Sequence, residues 1–308
     1  MVSCSPWAAW PSGRRDLNCC LTTQSTEDAE VGREGLGQRG SNACSLWGAN
    51  GAGQSTPTAG PFGLIASGHN HNCGLRTDGT PVCWGGNDAG ESTPGNDSLT
   101  QISNGASFTC GLRTDGTVTC WGLDYQGETA APADTFTQIT AGGYHACGRH
   151  SDGSVTCWGD SMYGQTDVPR ETFAQISAGQ WNTCGLHADG TANCWGGDSV
   201  RVPAGTYTQI SAGENQTCGL RTDGSATCWG ETAATDPVGT FTQISAGWLN
   251  ACGLRADGTA TCWGDNSSGQ STPPAGTFIQ ISAGEKHACG LRADGYATCW
   301  GDLVTPDR

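Results

Sequence analysis

Phe241-Thr-Gln-Ile-Ser-Ala-Gly247, four variable residues, then Cys252-Gly-Leu-Arg-Ala-Asp-Gly-Thr-Ala-Thr-Cys262-Trp-Gly264 is one copy of a unit that recurs seven times. The first cysteines fall at Cys73, Cys110, Cys147, Cys184, Cys218, Cys252 and Cys289, in steps of 37, 37, 37, 34, 34 and 37 residues. The second follows ten positions later each time, at Cys83, Cys120, Cys157, Cys194, Cys228, Cys262 and Cys299. A period of this length with near-constant register marks a repeat architecture. Residues 62–302 are therefore read as one domain.

Short alternating runs bounded by Gly, Asp and Pro, with no helical period, predict three antiparallel strands per unit. The first strand is expected at the Phe241 to Ser245 type of segment, and the other two form a hairpin. If Cys73 faces Cys83, Arg76 pairs with Thr80 and leaves Thr77-Asp78-Gly79 as a three-residue loop. That loop needs a left-handed third residue, which glycine supplies. Counting back from it places each cysteine pair at a non-hydrogen-bonded site, within disulfide reach. Buried free thiols or a zinc site fit the nine intervening residues and central turn less well. Seven small sheets then close into an all-β, seven-bladed propeller with one intra-hairpin disulfide per blade, because an open stack would expose apolar faces and edges. The regular last repeat, close to the end of the chain, supports closure over a solenoid with polar end caps.

Composition agrees with a covalently braced fold. Leu, Ile, Val and Phe number only 39 of 308 residues and the formal charge is −15, a combination typical of chains that do not fold on apolar mass alone. Eighteen cysteines point to an oxidising compartment, and so to a secreted or cell-surface location. The first twenty residues lack the apolar stretch of a secretory signal; the expectation is a start that is truncated, misassigned or cut from a longer secreted chain. With 14 basic against 29 acidic residues and Lys286 the only lysine, nucleic acid is a poor partner. No run approaches the roughly 18 to 20 apolar residues of a membrane span.

The repeat leaves residues 1–43 as an irregular N-terminal segment, 44–61 as a partial repeat around Trp47-Gly48, and 303–308 as a tail. Trp47 is expected either in a closing strand or as the relic of a blade. Cys4, Cys19, Cys20 and Cys44 have no deducible pairing.

Trp-Gly-x-Asn/Asp-x-x-Gly-Gln at Trp47 to Gln54 and Trp263 to Gln270, with Ile-Ser-Ala-Gly and a His three residues on (His71, His145, His287), resembles the regulator-of-chromosome-condensation repeat family. The short period and Pro-Ala-Gly-Thr-Phe linkers are most similar to its compact bacterial branch, which includes a propeller that inhibits beta-lactamase. The cysteine pairs and acidic charge depart from the nuclear, guanine-exchange branch, so that activity is not carried over.

Subtracting the framework isolates the candidate site. Eight tryptophans are Trp-Gly positions and two lie near the N-terminus, which leaves Trp181 and Trp248, both in the variable stretch after Ala-Gly, where Tyr144 also falls. That stretch is the turn between first and second strands, on the rim opposite the Asp-Gly turns. Tyr125, Met162 and Tyr163, a few residues past Trp-Gly, are expected nearby. Aromatics on a rigid scaffold suit a protein-binding face, and by motif position the resemblance also places partner contacts at Tyr144, Trp181 and Trp248. The turn aspartates are explained by turn geometry. His71, His145 and His287 fall at a framework position in separate blades, so no metal and no cofactor is expected. No Ser-His-Asp, Cys-His or paired-carboxylate pattern rises above the repeat, and the protein is expected not to be an enzyme. The reading is an extracytoplasmic protein-binding module, an inhibitor of or adaptor for a secreted or cell-surface protein. A structural display repeat is the alternative, and a hydrolase or lyase ranks third.

Overall fold

The computed structural model describes residues 52–197, 201–230, 233 and 235–301. The segment 1–43, Cys4, Cys19, Cys20, Cys44, Trp47 and the tail 303–308 lie outside the described residues. Twenty-one strands form seven sheets of three, each in simple sequential order. Blades 1 to 7 span residues 64–85, 99–122, 138–159, 175–195, 207–229, 243–264 and 280–301.

The hairpin arithmetic holds in every blade. Cys73 faces Cys83 across blade 1, and the seven ten-residue pairs are all disulfides with Cα atoms 4.0 to 4.1 Å apart. Arg76 N–H donates to Thr80 O, and Gly79 sits at φ 86°. Asp78 Oδ1 accepts from Thr80 N–H at 2.9 Å, which closes the loop.

The first strand starts as expected in two blades and two residues later in the other five. In blade 6 it runs Gln243–Ala246 rather than from Phe241, whereas in blades 2 and 5 it starts at the equivalent Leu99 and Tyr207. Phe241 has a second task. Its ring lies beside Trp263, centroids 5.7 Å apart, and covers Gly253 so closely that a Cβ there would collide with it. Its N–H donates to Gly224 O in the turn of the preceding blade. Each Asp-Gly turn thus also anchors its successor, and Phe62 N–H to Gly295 O at 2.7 Å applies the same bond between blades 7 and 1.

Several further bond types cross the seams, among them first-strand hydroxyls that accept from the next blade, as Ser103 Oγ does from Ala141 N–H at 2.9 Å. The Gln that opens a first strand brackets the next Ile: Gln138 Oε1 accepts from Ile176 N–H at 3.1 Å and its Nε2 donates to Ile176 O at 2.9 Å. Gln280 does this to Ile65, 215 residues away, so the ring is closed. Blade 1 carries Leu64 and Ala66 where the other first strands carry Gln and Ser or Thr. Its seam to blade 2 relies instead on Asn104 Nδ2–H to Ala66 O, 3.1 Å. Another type joins the polar third variable residues, such as His145 and Asn182, to the next blade, and another is the indole cap.

Trp121, Trp158, Trp195 and Trp300 each donate their indole N–H to a backbone carbonyl 30 residues earlier, at Glu91, Glu128, Gln165 and Gln270. Trp84 does the same to Gln54 O, and Asn72 Nδ2–H joins it there at 2.8 Å. Ser55 Oγ–H donates to Gly301 O at 3.1 Å. The partial repeat therefore caps blade 1 as the longer repeats cap their successors, and also touches the end of blade 7. A chain beginning at residue 44 is expected to melt like the full chain, whereas one beginning at residue 57 loses three hydrogen bonds of about 1 kcal/mol each and should melt roughly 5 to 10 °C lower. Differential scanning calorimetry of the two chains checks this; equal melting would remove the capping role.

Each seam buries a small cluster. That between blades 3 and 4 holds Cys147, Phe173, Ile176 and Trp195, and the first cysteine of every bridge is fully buried. First strands line the axis around a cavity of about 210 Å³.

Candidate functional site

The variable turns connect first to second strands on the rim opposite the Asp-Gly loops, and third strands end on the same side. Tyr144, from the turn of blade 3, stacks on Trp181 from the turn of blade 4, centroids 5.3 Å apart and planes 25° apart. Tyr163, from the connector after blade 3, meets the Trp181 ring at 4.9 Å and 59°. Three segments of two blades thus converge on one indole. Trp181 and Tyr144 are half-buried, whereas Tyr163 is 51% exposed.

The other predicted residues stand apart. Trp248, in the turn of blade 6, lies under Lys286 of blade 7, whose Nζ is 5.7 Å from the ring centroid. Tyr125 projects from the connector after blade 2 with 82% of its surface exposed and enters none of these ring contacts. Met162, 75% exposed, flanks Tyr163.

Two residues outside the aromatic set share this rim. His69 of blade 1 reaches across the mouth of the axial cavity to Glu214 of blade 5, Nε2 to Oε1 2.7 Å. Sequence gave no sign of that pairing, since the two are 145 positions apart and meet only because the ring is closed. The arginines gather on the far rim: Arg76, Arg113, Arg149, Arg221, Arg255 and Arg292 close the second strands beside the Asp-Gly turns.

His71, His145 and His287 belong to the scaffold. Each is fully buried, and each Nε2 bonds the next blade: to Thr109 Oγ1 at 2.9 Å, Thr183 Oγ1 at 2.7 Å and Asn72 Oδ1 at 2.8 Å. Thr109 and Thr183 donate their own hydroxyl protons to Glu91 O and Gln165 O, so the network assigns the N–H to Nε2 of the rings. The Nδ1 atoms have no partner among the described residues. Protonation would create a buried N–H without an acceptor. Burial accordingly lowers the pKa of His71 to about 3 and of His145 and His287 to about 4.

A closed ring of three-stranded, disulfide-braced blades, with its sequence variation gathered on one rim, defines a repeat-built seven-bladed β-propeller. The model of the regulator of chromosome condensation (RCC1) repeat matches seven times, over residues 64–91, 99–128, 136–165, 173–200, 207–232, 241–270 and 278–302, and the chain belongs to that family. No curated protein matches it. Among solved structures it is similar to the CRINKLY WD40 ectodomain of the Arabidopsis thaliana receptor kinase ACR4, with 27% identity and TM-score 0.67 over 79% of this chain and 98% of that one. The entire ectodomain of the Physcomitrella patens receptor kinase CR4 shares 26% identity at TM-score 0.68 over 79% of this chain and 73% of that one. Yeast RCC1 (Prp20), solved bound to Kap60, shares the fold at 16% identity and TM-score 0.62, over 85% of this chain and 88% of that one. No helix among the described residues is long and apolar enough to cross a membrane.

Proposed function

We propose that the protein is an extracytoplasmic protein-binding module that docks its partner on the variable-turn rim, with the Tyr144–Trp181–Tyr163 cluster as the main anchor and Trp248 as a second, and that it acts by binding rather than by catalysis. One observation carries this reading. Three aromatic rings from separate segments converge, and none of them takes part in the strand ladders, the indole caps or the hydrogen bonds between blades. Large rings held rigid by their neighbours lose little entropy on binding, and such anchors dominate interface energies. Tyr125 falls at the periphery of the same face. The buried His71, His145 and His287 are committed to seams, and Asp78 and its counterparts to their own turns. Seven disulfides favour an oxidising compartment, and the neighbours at 26 and 27% identity are receptor ectodomains.

A pull-down from the source organism's secretome with the intact chain is expected to return one stoichiometric partner; a display repeat without a ligand would return none. Trp181→Ala combined with Trp248→Ala should then weaken binding about tenfold or more. Because Trp181 stacks on Tyr144 and meets Tyr163 at a tilt, the pair of changes is expected to cost about 1 to 2 kcal/mol of stability, too little to unfold the ring. Titration calorimetry of the folded variant decides the matter, and unchanged affinity would move the site off this rim.

A further inference from the structure

Repeats four and five are three residues shorter than the rest, and the missing residues fall in the connectors after Trp195 and Trp229. In a long connector, Gln165 or Gln270 is buried beneath the Trp-Gly loop and caps the next blade's tryptophan through its carbonyl. Trp229 and Trp263, which follow the short connectors, find no such acceptor among the described residues. Over blade 5, the place of the cap is a hollow of about 150 Å³ lined by Tyr163, Trp181, Glu214, Gln216, Thr217 and Trp229.

This hollow adjoins the aromatic cluster and shares Trp181 and Tyr163 with it. A cavity of about 150 Å³ has the size that holds a benzene ring, which also suits a planar guanidinium with its adjoining methylene. Its lining combines aromatic residues with the acidic Glu214, whose Oε1 lies against His69. Indole is the best aromatic surface for a cation, and arginine is the cation that both stacks and forms paired hydrogen bonds to carboxylate. The protein's own arginines beside the Asp-Gly turns stand on the far rim. We infer that the hollow between blades 4 and 5 is the specificity pocket of the docking face and takes an arginine side chain presented by the protein partner, Trp181 and Tyr163 packing its plane and Glu214 pairing its charge. The inference rests on the docking reading above and names the chemistry that the partner must offer.

The test uses a small probe on the full chain. Titration of N-acetyl-arginine amide, followed through the indole N–H resonance of Trp181, is expected to give a saturable shift. The neutral isostere N-acetyl-citrulline amide should bind about fivefold more weakly or worse, as should the arginine probe to Glu214→Gln. His69→Gln removes the contact across the axial mouth without touching the hollow and should leave the arginine response unchanged. Equal binding of citrulline, no saturable response to arginine, or a loss in His69→Gln matching that in Glu214→Gln would each overturn the pocket. None of these bears on whether Trp181 and Trp248 anchor a partner, which the double variant decides separately.

Discussion

Acidification from pH 7 to pH 4.5 is expected to remove on the order of 7 kcal/mol of stability and to lower the melting temperature by roughly 15 °C or more. The source is the three seam histidines. In the unfolded chain each takes up a proton as the pH falls through about 6.5, whereas in the ring burial holds His145 and His287 neutral to about 4 and His71 to about 3. Through that interval the unfolded state binds more protons, so folding stability declines as pH falls, by about 2.5 kcal/mol per ring at pH 4.5. The turn aspartates Asp78, Asp115, Asp152, Asp189, Asp223 and Asp257, lowered by hydrogen bonds from the residue two positions on, add their loss only below the usual carboxylate pKa. The repeats themselves supply the control. Asn182 occupies the histidine position in blade 4 and donates Nδ2–H to Thr217 Oγ1 at 3.3 Å, a neutral version of the same link. A His71→Asn, His145→Asn, His287→Asn variant should melt at nearly one temperature across pH 7 to 4.5. If it keeps the acid transition of the parent by calorimetry, the histidines are not its cause.

Full reduction is expected to abolish the ring altogether. Closing an eleven-residue loop contributes about 2.8 kcal/mol in the chain-entropy model, and seven such terms, even at half additivity, match the 5 to 15 kcal/mol that is typical for a whole domain. The apolar seams are too small to replace them: the blade 1–2 seam holds Cys73, Leu75, Leu99 and Ile102 as its buried members, one of which is itself half of a bridge. A chain reduced in denaturant, alkylated and returned to buffer should show neither the near-ultraviolet dichroism of ordered tryptophan nor a cooperative melt. A single Cys184→Ala, Cys194→Ala variant should cost about 3 kcal/mol and still fold. Non-reducing peptide mapping of the native protein should recover Cys73 with Cys83 and each later pair likewise. An alkylated chain that melts within a few degrees of the oxidised one would show that the blades stand on packing instead.

What was legible in the sequence was whatever repeats at fixed spacing within one hairpin. The central Gly, the ten-residue cysteine offset and the Asp of the turn are local, so counting along the chain finds their partners. Contacts between blades were less visible. The third variable position holds His, Phe, Asn or Gln, types with no common label, yet its polar members share the task of bonding the next blade, as His145 and Asn182 do. Phe241 precedes an alternating run, but that its ring covers Gly253 and its N–H bonds the preceding turn could not be read from that run. At the candidate site, subtraction isolated Tyr144 and Trp181 and connector position suggested Tyr163, while their mutual stacking required the blade geometry. The three-residue shortening was plain in the step lengths; that it leaves a hollow beside Trp181 became visible only once the role of Gln165 as a cap was known.

The two kinds of closure in this molecule set a timetable for its manufacture. Both thiols of a bridge leave the ribosome within eleven residues of each other, well before the next pair, so oxidation that keeps pace with synthesis meets the correct partner first. Closure of the circle has no such early opportunity. Ser55 waits for Gly301 and Ile65 for Gln280, more than two hundred residues later, so an interrupted chain carries correctly oxidised hairpins with both seam faces open, a form that a thiol assay cannot tell from the finished ring.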